Sequence, residues 1–198
     1  MANTQILSDE KYSTLLSQLR DRTITPRKVR ALVAELTTIL AREAITPPAQ
    51  DEQIAIIVIL RSGMAMMDSF LYEVPEDAKT IVYHLGLFRD KKSLQPVEYY
   101  NKLAPKSPKI SHGYILDPLL ATGGTAEAAV TIAKDWGLDK ITFVSIIASR
   151  DGLQKAASVW PEGTNFVVGA VDEELDEHGY VKPGLGDIGD RLYGTQLL

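Results

Sequence analysis

The 198-residue sequence has no cysteine. That excludes a disulfide scaffold and thiolate chemistry, and it is compatible with a reducing compartment. An excess of positive charge is missing as well: 21 Lys and Arg stand against 26 Asp and Glu, for a net charge of −5. Sequence-independent binding to nucleic-acid backbones draws on a basic face, so no nucleic-acid partner is expected. No 18 apolar residues run together, and the first 25 residues, MANTQILSDEKYSTLLSQLRDRTIT, contain no apolar leader core. The expectation is a cytoplasmic protein with no membrane partner. Histidine is scarce. His84, His112 and His178 are never paired at i, i+3 or i+4, which argues against a metal cage and leaves them as strand-end or surface residues. The G-x-S-x-G elbow of serine hydrolases is absent too.

With 45% hydrophobic residues the chain can bury a substantial core. One domain over 1–198 is expected, with a helical N-terminal segment 1–50, an α/β core over about 54–171 and a C-terminal segment 172–198. Residues 25 to 46 read as a helix: Thr25 suits the N-cap, Pro26 the first turn, and Val29, Leu32, Val33, Leu36 and Leu40 share a face. IAIIVIL (54–60) is a continuous apolar run, as expected of a strand covered on both sides. Further strands are predicted at 80–87, 113–117, 140–147 and 165–171, with helices around 63–73, 124–136 and 150–159 and Gly137 following the second. Met64, Met66 and Met67 are expected in the core. The alternation implies an open, mostly parallel α/β sheet flanked by helices, whose ligands sit at the carboxyl ends of the strands.

Three strand ends carry chemistry. After GYIL come Asp117 and then ATGGT (121–125), where glycines let backbone N–H groups converge, a helix start adds positive dipole, and Thr122 and Thr125 offer hydroxyls. That is the layout of a phosphate cradle; the plainer alternative is a strand-to-helix turn with a Thr cap. No Lys follows the glycines, so it is not a nucleoside-triphosphate loop. The buried run ends in Arg61-Ser62-Gly63, which suits anion binding, with a structural salt bridge as the alternative. Arg89 opens the charged stretch FRDKKSLQPVEYYNKL, readable as a solvated hairpin, an oligomer contact or a lid. Lys91, Lys92 and Lys102 in it read as surface charges.

The C-terminal YVKPGLGDIGDRLYGT (180–195) spaces Gly184, Gly186 and Gly189 as G-x-G-x-x-G. A dinucleotide fingerprint requires a following helix, a second strand and an acid about 20 residues on. Nine residues after Gly189 are too few, so neither the helix nor the rest is expected. The glycines instead read as a loop that brings main chain close to a ligand, next to Asp187 and Asp190.

DPLLATGGT resembles the phosphoribosyl-diphosphate (PRPP) motif of type I phosphoribosyltransferases, and its Asp-Pro opening resembles the uracil phosphoribosyltransferase family. ILRSGMAMMD, FRDKKSLQPVEYYNKL and VDEELDEHGYVKPGLGDIGDRLYGT occur in that family's order, so the likeness covers about Ile54 to Thr195. The resemblance implies a type I phosphoribosyltransferase-like fold with a C-terminal base-binding hood loop. It implies pyrimidine salvage: uracil plus PRPP gives UMP plus diphosphate, with Mg²⁺ bound mainly through PRPP and water and with no metal ligands from the protein. Arg61 and Arg89 then look like diphosphate ligands. The PRPP site is completed by Asp117, Pro118, Leu119, Leu120, Ala121, Thr122, Gly123, Gly124, Thr125 and Asp187. Val181, Gly186, Asp187 and Ile188 look like the uracil contacts, and Asp117, Arg89 and Asp187 like the catalytic group. A homo-oligomer, dimer or tetramer, and a GTP effector belong to the same implication.

The sequence departs from the family pattern at Ser62, where Ala is usual, and at Ile188, where a small residue is common. Three extra residues fall between Arg61 and Arg89, and ASRDGL replaces an Ala-Pro-Glu-Gly version while keeping the glycine. Two alternatives stand beside this reading: a catalytically weak PRPP- or nucleotide-binding regulatory homologue and, kept open by Ile188, a phosphoribosyltransferase for another base.

Overall fold

Along residues 54–59 successive side chains are buried on opposite sides, and that alternation organises the molecule. Ile54, Ile56 and Val58 join one apolar cluster, and Ala55, Ile57 and Ile59 join another on the far side. A strand whose two faces are both apolar must lie inside a sheet covered by helices on each side. The computed structural model, which describes residues 3–89 and 96–195 apart from the Arg89 side chain, shows that arrangement.

In chain order the elements are β1 (Thr4–Ile6), α1 (Glu10–Arg20), α2 (Pro26–Ala44), β2 (Gln53–Leu60), α3 (Met64–Glu73), β3 (Lys79–Arg89), β4 (Pro96–Asn101) and β5 (Ile110–Leu116). They continue with β6 (Leu119–Leu120), α4 (Gly124–Asp135), β7 (Lys140–Ser149), α5 (Arg150–Ala157), β8 (Thr164–Asp172), β9 (Glu174–Leu175), β10 (Val181–Lys182) and α6 (Ile188–Tyr193). The main sheet runs β1-β8-β7-β5-β2-β3-β4 with β6 beside β7. Every pairing in it is parallel except β3 with β4, which form an antiparallel hairpin. The expected α/β class with a mostly parallel sheet is thus observed.

The helix predicted from Thr25 starts there: the Thr25 hydroxyl caps the Lys28 N–H, Pro26 occupies the first turn, and Val29, Leu32, Val33, Leu36 and Leu40 are fully buried. The helical N-terminal segment also contains α1, whose Asp9 cap and Tyr12, Leu15, Leu16 and Leu19 face the same core. Gly137 follows α4 at φ 100°. One core expectation is corrected. Met66 is buried and Met67 partly so, but Met64, the first residue of α3, is 46% exposed because it lies on the outer side of that first turn.

A parallel sheet collects its loops at the carboxyl ends of the strands. Here β2 delivers Arg61-Ser62-Gly63, β5 delivers Asp117, and β7 delivers Ser149 at the start of α5. The β3–β4 hairpin stands at one side of that edge and the segment 173–195 at the other. Arg89 ends β3, but its side chain, like Lys91 and Lys92, lies outside the described residues.

Candidate active site

A cavity of about 590 Å³ opens at this edge. Its wall is formed by Arg61 and Ser62 after β2, Asp117 and the turn through Gly123 after β5, Thr125 on α4, Phe88 and Tyr99 on the hairpin, and Tyr180 and Asp187–Gly189 from the C-terminal segment.

The turn after β5 is an open helix start. Gly123 is the N-cap of α4 at φ 81°, a left-handed conformation that glycine adopts at no steric cost, and α4 has no side-chain cap bond. The expected alternative of a Thr cap is therefore not what the chain builds. Thr122 and Thr125 line the cavity instead, and the first N–H groups of α4 retain their capacity to bind an anion. The cradle is braced from below. The Ser149 hydroxyl donates to the Ala121 carbonyl at 2.5 Å and accepts the Gly152 N–H at 2.9 Å. Gly152 lies directly beneath, so that a Cβ on Gly123 would come within 2.5 Å of the Gly152 carbonyl oxygen.

Asp117 is 7% exposed, and its Oδ1 receives the Ser62 hydroxyl and the Leu119 N–H, both at 3.5 Å. Burial pushes its carboxyl up from 3.8 to about 7, with those two long hydrogen bonds pulling weakly the other way. Among the described residues no cation pairs with this group, which faces the cavity and is well suited to accept hydrogen bonds from a sugar diol.

The C-terminal loop is shaped by two arginines, one distant in sequence and one in the helix that follows it. Arg20, at the end of α1, makes a bidentate pair with Asp172 at 2.8 Å for each bond. The same Asp172 accepts the Gly184 N–H at 2.8 Å, and Arg20 also donates to the Gly184 carbonyl at 3.1 Å. Buried Arg191 donates to the carbonyls of Leu185 at 2.7 Å and Asp21 at 2.6 Å. The Asp187 carboxylate caps α6 by accepting the Asp190 N–H at 3.0 Å. Gly184 and Gly186 take φ values of 54° and 70°, and the Lys182–Pro183 and Leu60–Arg61 peptides are cis. The carbonyls of Gly184, Leu185 and Asp187 are engaged, the last by the Arg191 N–H.

The family model for uracil phosphoribosyltransferase matches residues 46–195. The chain belongs to that family. Among curated proteins it is 45% identical over 195 residues to urg2 of Schizosaccharomyces pombe, covering 98% of this chain and 92% of that one. It is 40% identical over 212 residues to the uracil phosphoribosyltransferase of Roseiflexus sp. (strain RS-1), covering 98% and 100%. Among solved structures, the AQ2163 protein of Aquifex aeolicus superposes with a TM-score of 0.88 at 30% identity, covering 98% of this chain and 100% of that one. The adenine phosphoribosyltransferase of Trypanosoma brucei superposes with a TM-score of 0.55 at 14% identity, over 87% and 84%. That likeness shows the type I phosphoribosyltransferase fold, as expected.

Against the uracil phosphoribosyltransferase pattern, the structure gathers most of the expected residues around one cavity. Arg61, Asp117, Leu119, Leu120, Ala121, Thr122, Gly123, Thr125, Asp187 and Ile188 all line it. Pro118 and Gly124 are buried behind its wall. Val181 is buried in the β9–β10 hairpin and Gly186 lies beside Arg22 and Arg191, so neither lines the cavity as it stands. Arg61 is in an ion pair, with Asp190 at 3.0 Å, as the structural alternative anticipated, yet it still borders the cavity. The expectation that no helix follows the glycine loop is corrected. Helix α6 exists and begins at Ile188, because Asp187 caps it and a six-residue helix needs little chain. Among the described residues no strand follows α6, as a dinucleotide site would require. Sequence reasoning missed Ser149, Arg20, Asp172 and Arg191; for Gly152, the glycine kept within ASRDGL was the available signal.

Proposed function

We propose that this chain transfers the phosphoribosyl group of PRPP to N1 of uracil, giving UMP and diphosphate. One observation carries the assignment of roles: an uncapped helix start with Gly123 left-handed, a buried carboxylate at Asp117 and the end of the glycine loop, residues 187–189, share one cavity. The first would take the 5-phosphate, the second the ribose hydroxyls and the third the base. Arg61, with Arg89 following β3, would take the diphosphate.

In the reaction the C1′–O bond to diphosphate breaks as the bond to N1 forms, and the N1 proton leaves to solvent. Positive charge grows on the ribose and negative charge on the leaving group. Arginine at the departing end therefore acts most strongly where charge develops. Orientation of N1 toward C1′, with bulk water displaced from the reacting atoms by the bound substrates, supplies the remainder, and no protein nucleophile is needed. Among the described residues no group of three His, Asp or Glu gathers to hold a metal ion. The single carboxylates in the cavity fit an ion that arrives on the diphosphate and keeps water as its other ligands; bound there, Mg²⁺ neutralises charge on the leaving group.

Assembly as a dimer or tetramer belongs to the same proposal. It is supported by edge strand β4, whose Val97, Tyr99 and Tyr100 are exposed, an arrangement that invites pairing. A GTP effector rests on the resemblance alone, and light scattering with and without GTP tests both. No helix among the described residues is long and apolar enough to cross a membrane; cytoplasmic location is the accompanying proposal.

Uracil presents an oxygen acceptor beside the N3–H donor, whereas cytosine presents an amino donor beside an acceptor. Reading that edge with the main chain of 186–188 would leave polar groups unpaired against cytosine, at roughly 1–3 kcal/mol each. Purified protein with PRPP, Mg²⁺ and a panel of bases is expected to make UMP from uracil and no product from cytosine. Gly186→Val places a β-branched residue at φ 70°, although its Cβ would meet nothing closer than 3.7 Å. Uracil use should fall by about 100-fold or more, through the loop backbone and not through crowding, with PRPP binding within about threefold of wild type. Equal turnover of the two bases would overturn main-chain readout.

A further inference from the structure

We propose that Asp190 is a positioning residue for the reaction, holding the Arg61 guanidinium from helix α6 so that it faces the diphosphate end of the cavity. The inference rests on the reading of Arg61 as a diphosphate ligand.

Arg61 is gripped at both its ends by one short element. Asp190 Oδ1 accepts the Nη2–H of Arg61 at 3.0 Å. The Thr195 hydroxyl accepts from Nη1 at 3.4 Å and donates to the same Asp190 oxygen at 2.6 Å, which fixes the carboxylate as well as the arginine. Behind them the Tyr193 hydroxyl donates to the Arg61 carbonyl at 2.9 Å, and the guanidinium lies 5.8 Å from the Tyr193 ring. Gly189 adjoins the pair: a Cβ there would stand 3.3 Å from the Asp187 carboxylate and 3.6 Å from Nη2, the latter an ordinary contact.

The pair is poorly placed to serve stability. The Arg61 and Asp190 side chains are 53% and 31% exposed, and exposed ion pairs add little to folding. What they do provide is order. A free arginine samples many rotamers, all of which an incoming anion must collapse, and a guanidinium already held along one edge keeps its other N–H groups for a phosphate. Since α6 also contributes Ile188 and Gly189 to the cavity, the base side and the diphosphate side are tied to one helix.

The test compares Arg61→Ala, Asp190→Ala, Asp190→Asn and the Arg61→Ala/Asp190→Ala double variant, by calorimetric titration with Mg-diphosphate and by steady-state kinetics. Arg61→Ala is expected to weaken diphosphate binding and kcat/KM for PRPP by about tenfold or more. Asp190→Ala should reproduce most of that loss with the KM for uracil within about threefold of wild type, and Asp190→Asn, which keeps an oxygen for Nη2–H, should recover most of it. The double variant should be no worse than Arg61→Ala alone, because Asp190 acts through Arg61. Thr195→Val is the second route if Asp190→Ala does not fold, with a smaller loss in the same direction. Unchanged or tighter diphosphate binding in Asp190→Ala overturns the proposal, as does full additivity in the double variant. If Arg61→Ala itself binds diphosphate normally, the assignment of Arg61 fails first, and the role of Asp190 falls with it.

Discussion

Replacing Gly152 by valine is expected to lower kcat/KM for PRPP by about 100-fold or more and to cost about 3 kcal/mol of stability. Gly152 sits in the first turn of α5, where a Cβ would overlap the Ala121 carbonyl oxygen and come within 2.8 Å of Ala121 C and 2.9 Å of Gly123 N. All three are main-chain atoms, so no side chain can swing away to relieve the overlap. Either the first turn of α5 or the phosphate cradle must move. The α5 turn is tied down by Ser149, which caps it and bonds Ala121 at once, so the displacement passes into residues 121–123. Gly152→Ala already introduces the same overlap and should show most of the loss. Titration with ribose 5-phosphate well below the melting temperature separates the cradle from global unfolding. A Gly152→Val protein that binds this ligand and melts like wild type would show that the cradle does not depend on its brace.

Legibility in the sequence follows the range of the interactions. The run at 54–60 was readable because both faces of β2 are buried, so every residue in it is apolar. The start of α2 was readable because Thr25 and Pro26 act on N–H groups within the same turn. The ATGGT cradle was readable for a similar reason, since the conformation of Gly123 and the helix start it opens are local. In contrast, β1 is three residues that become a strand only by pairing with β8, about 160 positions away, and nothing within Thr4–Ile6 signals it. The Arg20–Asp172–Gly184 bracket spans 152 residues or more, and each member taken singly reads as a surface charge or a turn glycine. Helix α6 is not legible because it is far shorter than an ordinary helix: a six-residue turn capped by Asp187 suffices. The site was thus visible as a set of motifs, but the contacts that hold the motifs together were not.

PRPP binding is expected to weaken by about tenfold for each pH unit below 7, because the ribose hydroxyls need the ionised form of Asp117 as acceptor. Burial has raised that carboxyl to about 7 in the free protein, so near neutrality a large fraction must lose its proton when the sugar binds. A phosphate group of the ligand titrates near 6 as well. Asp117→Asn separates the two effects: it retains whatever belongs to the ligand and loses the step near 7, with affinity at pH 8 lowered by about 10- to 100-fold through loss of a charged acceptor. Stability in the absence of ligand should run the opposite way. The folded pKa lies above the unfolded one, so the buried group's contribution is fully present below about 4 and is lost as pH rises through 7. Above neutrality the wild-type protein holds a buried carboxylate that no cation among the described residues pairs with, which the asparagine variant does not. Asp117→Asn should therefore resist denaturant about as well as wild type below pH 4 and increasingly better from there to pH 8, by an amount bounded at roughly 4 kcal/mol. A wild-type affinity profile that parallels the variant's through pH 7, with no stability gap opening at pH 8, would place the Asp117 proton elsewhere and remove the ribose-acceptor role.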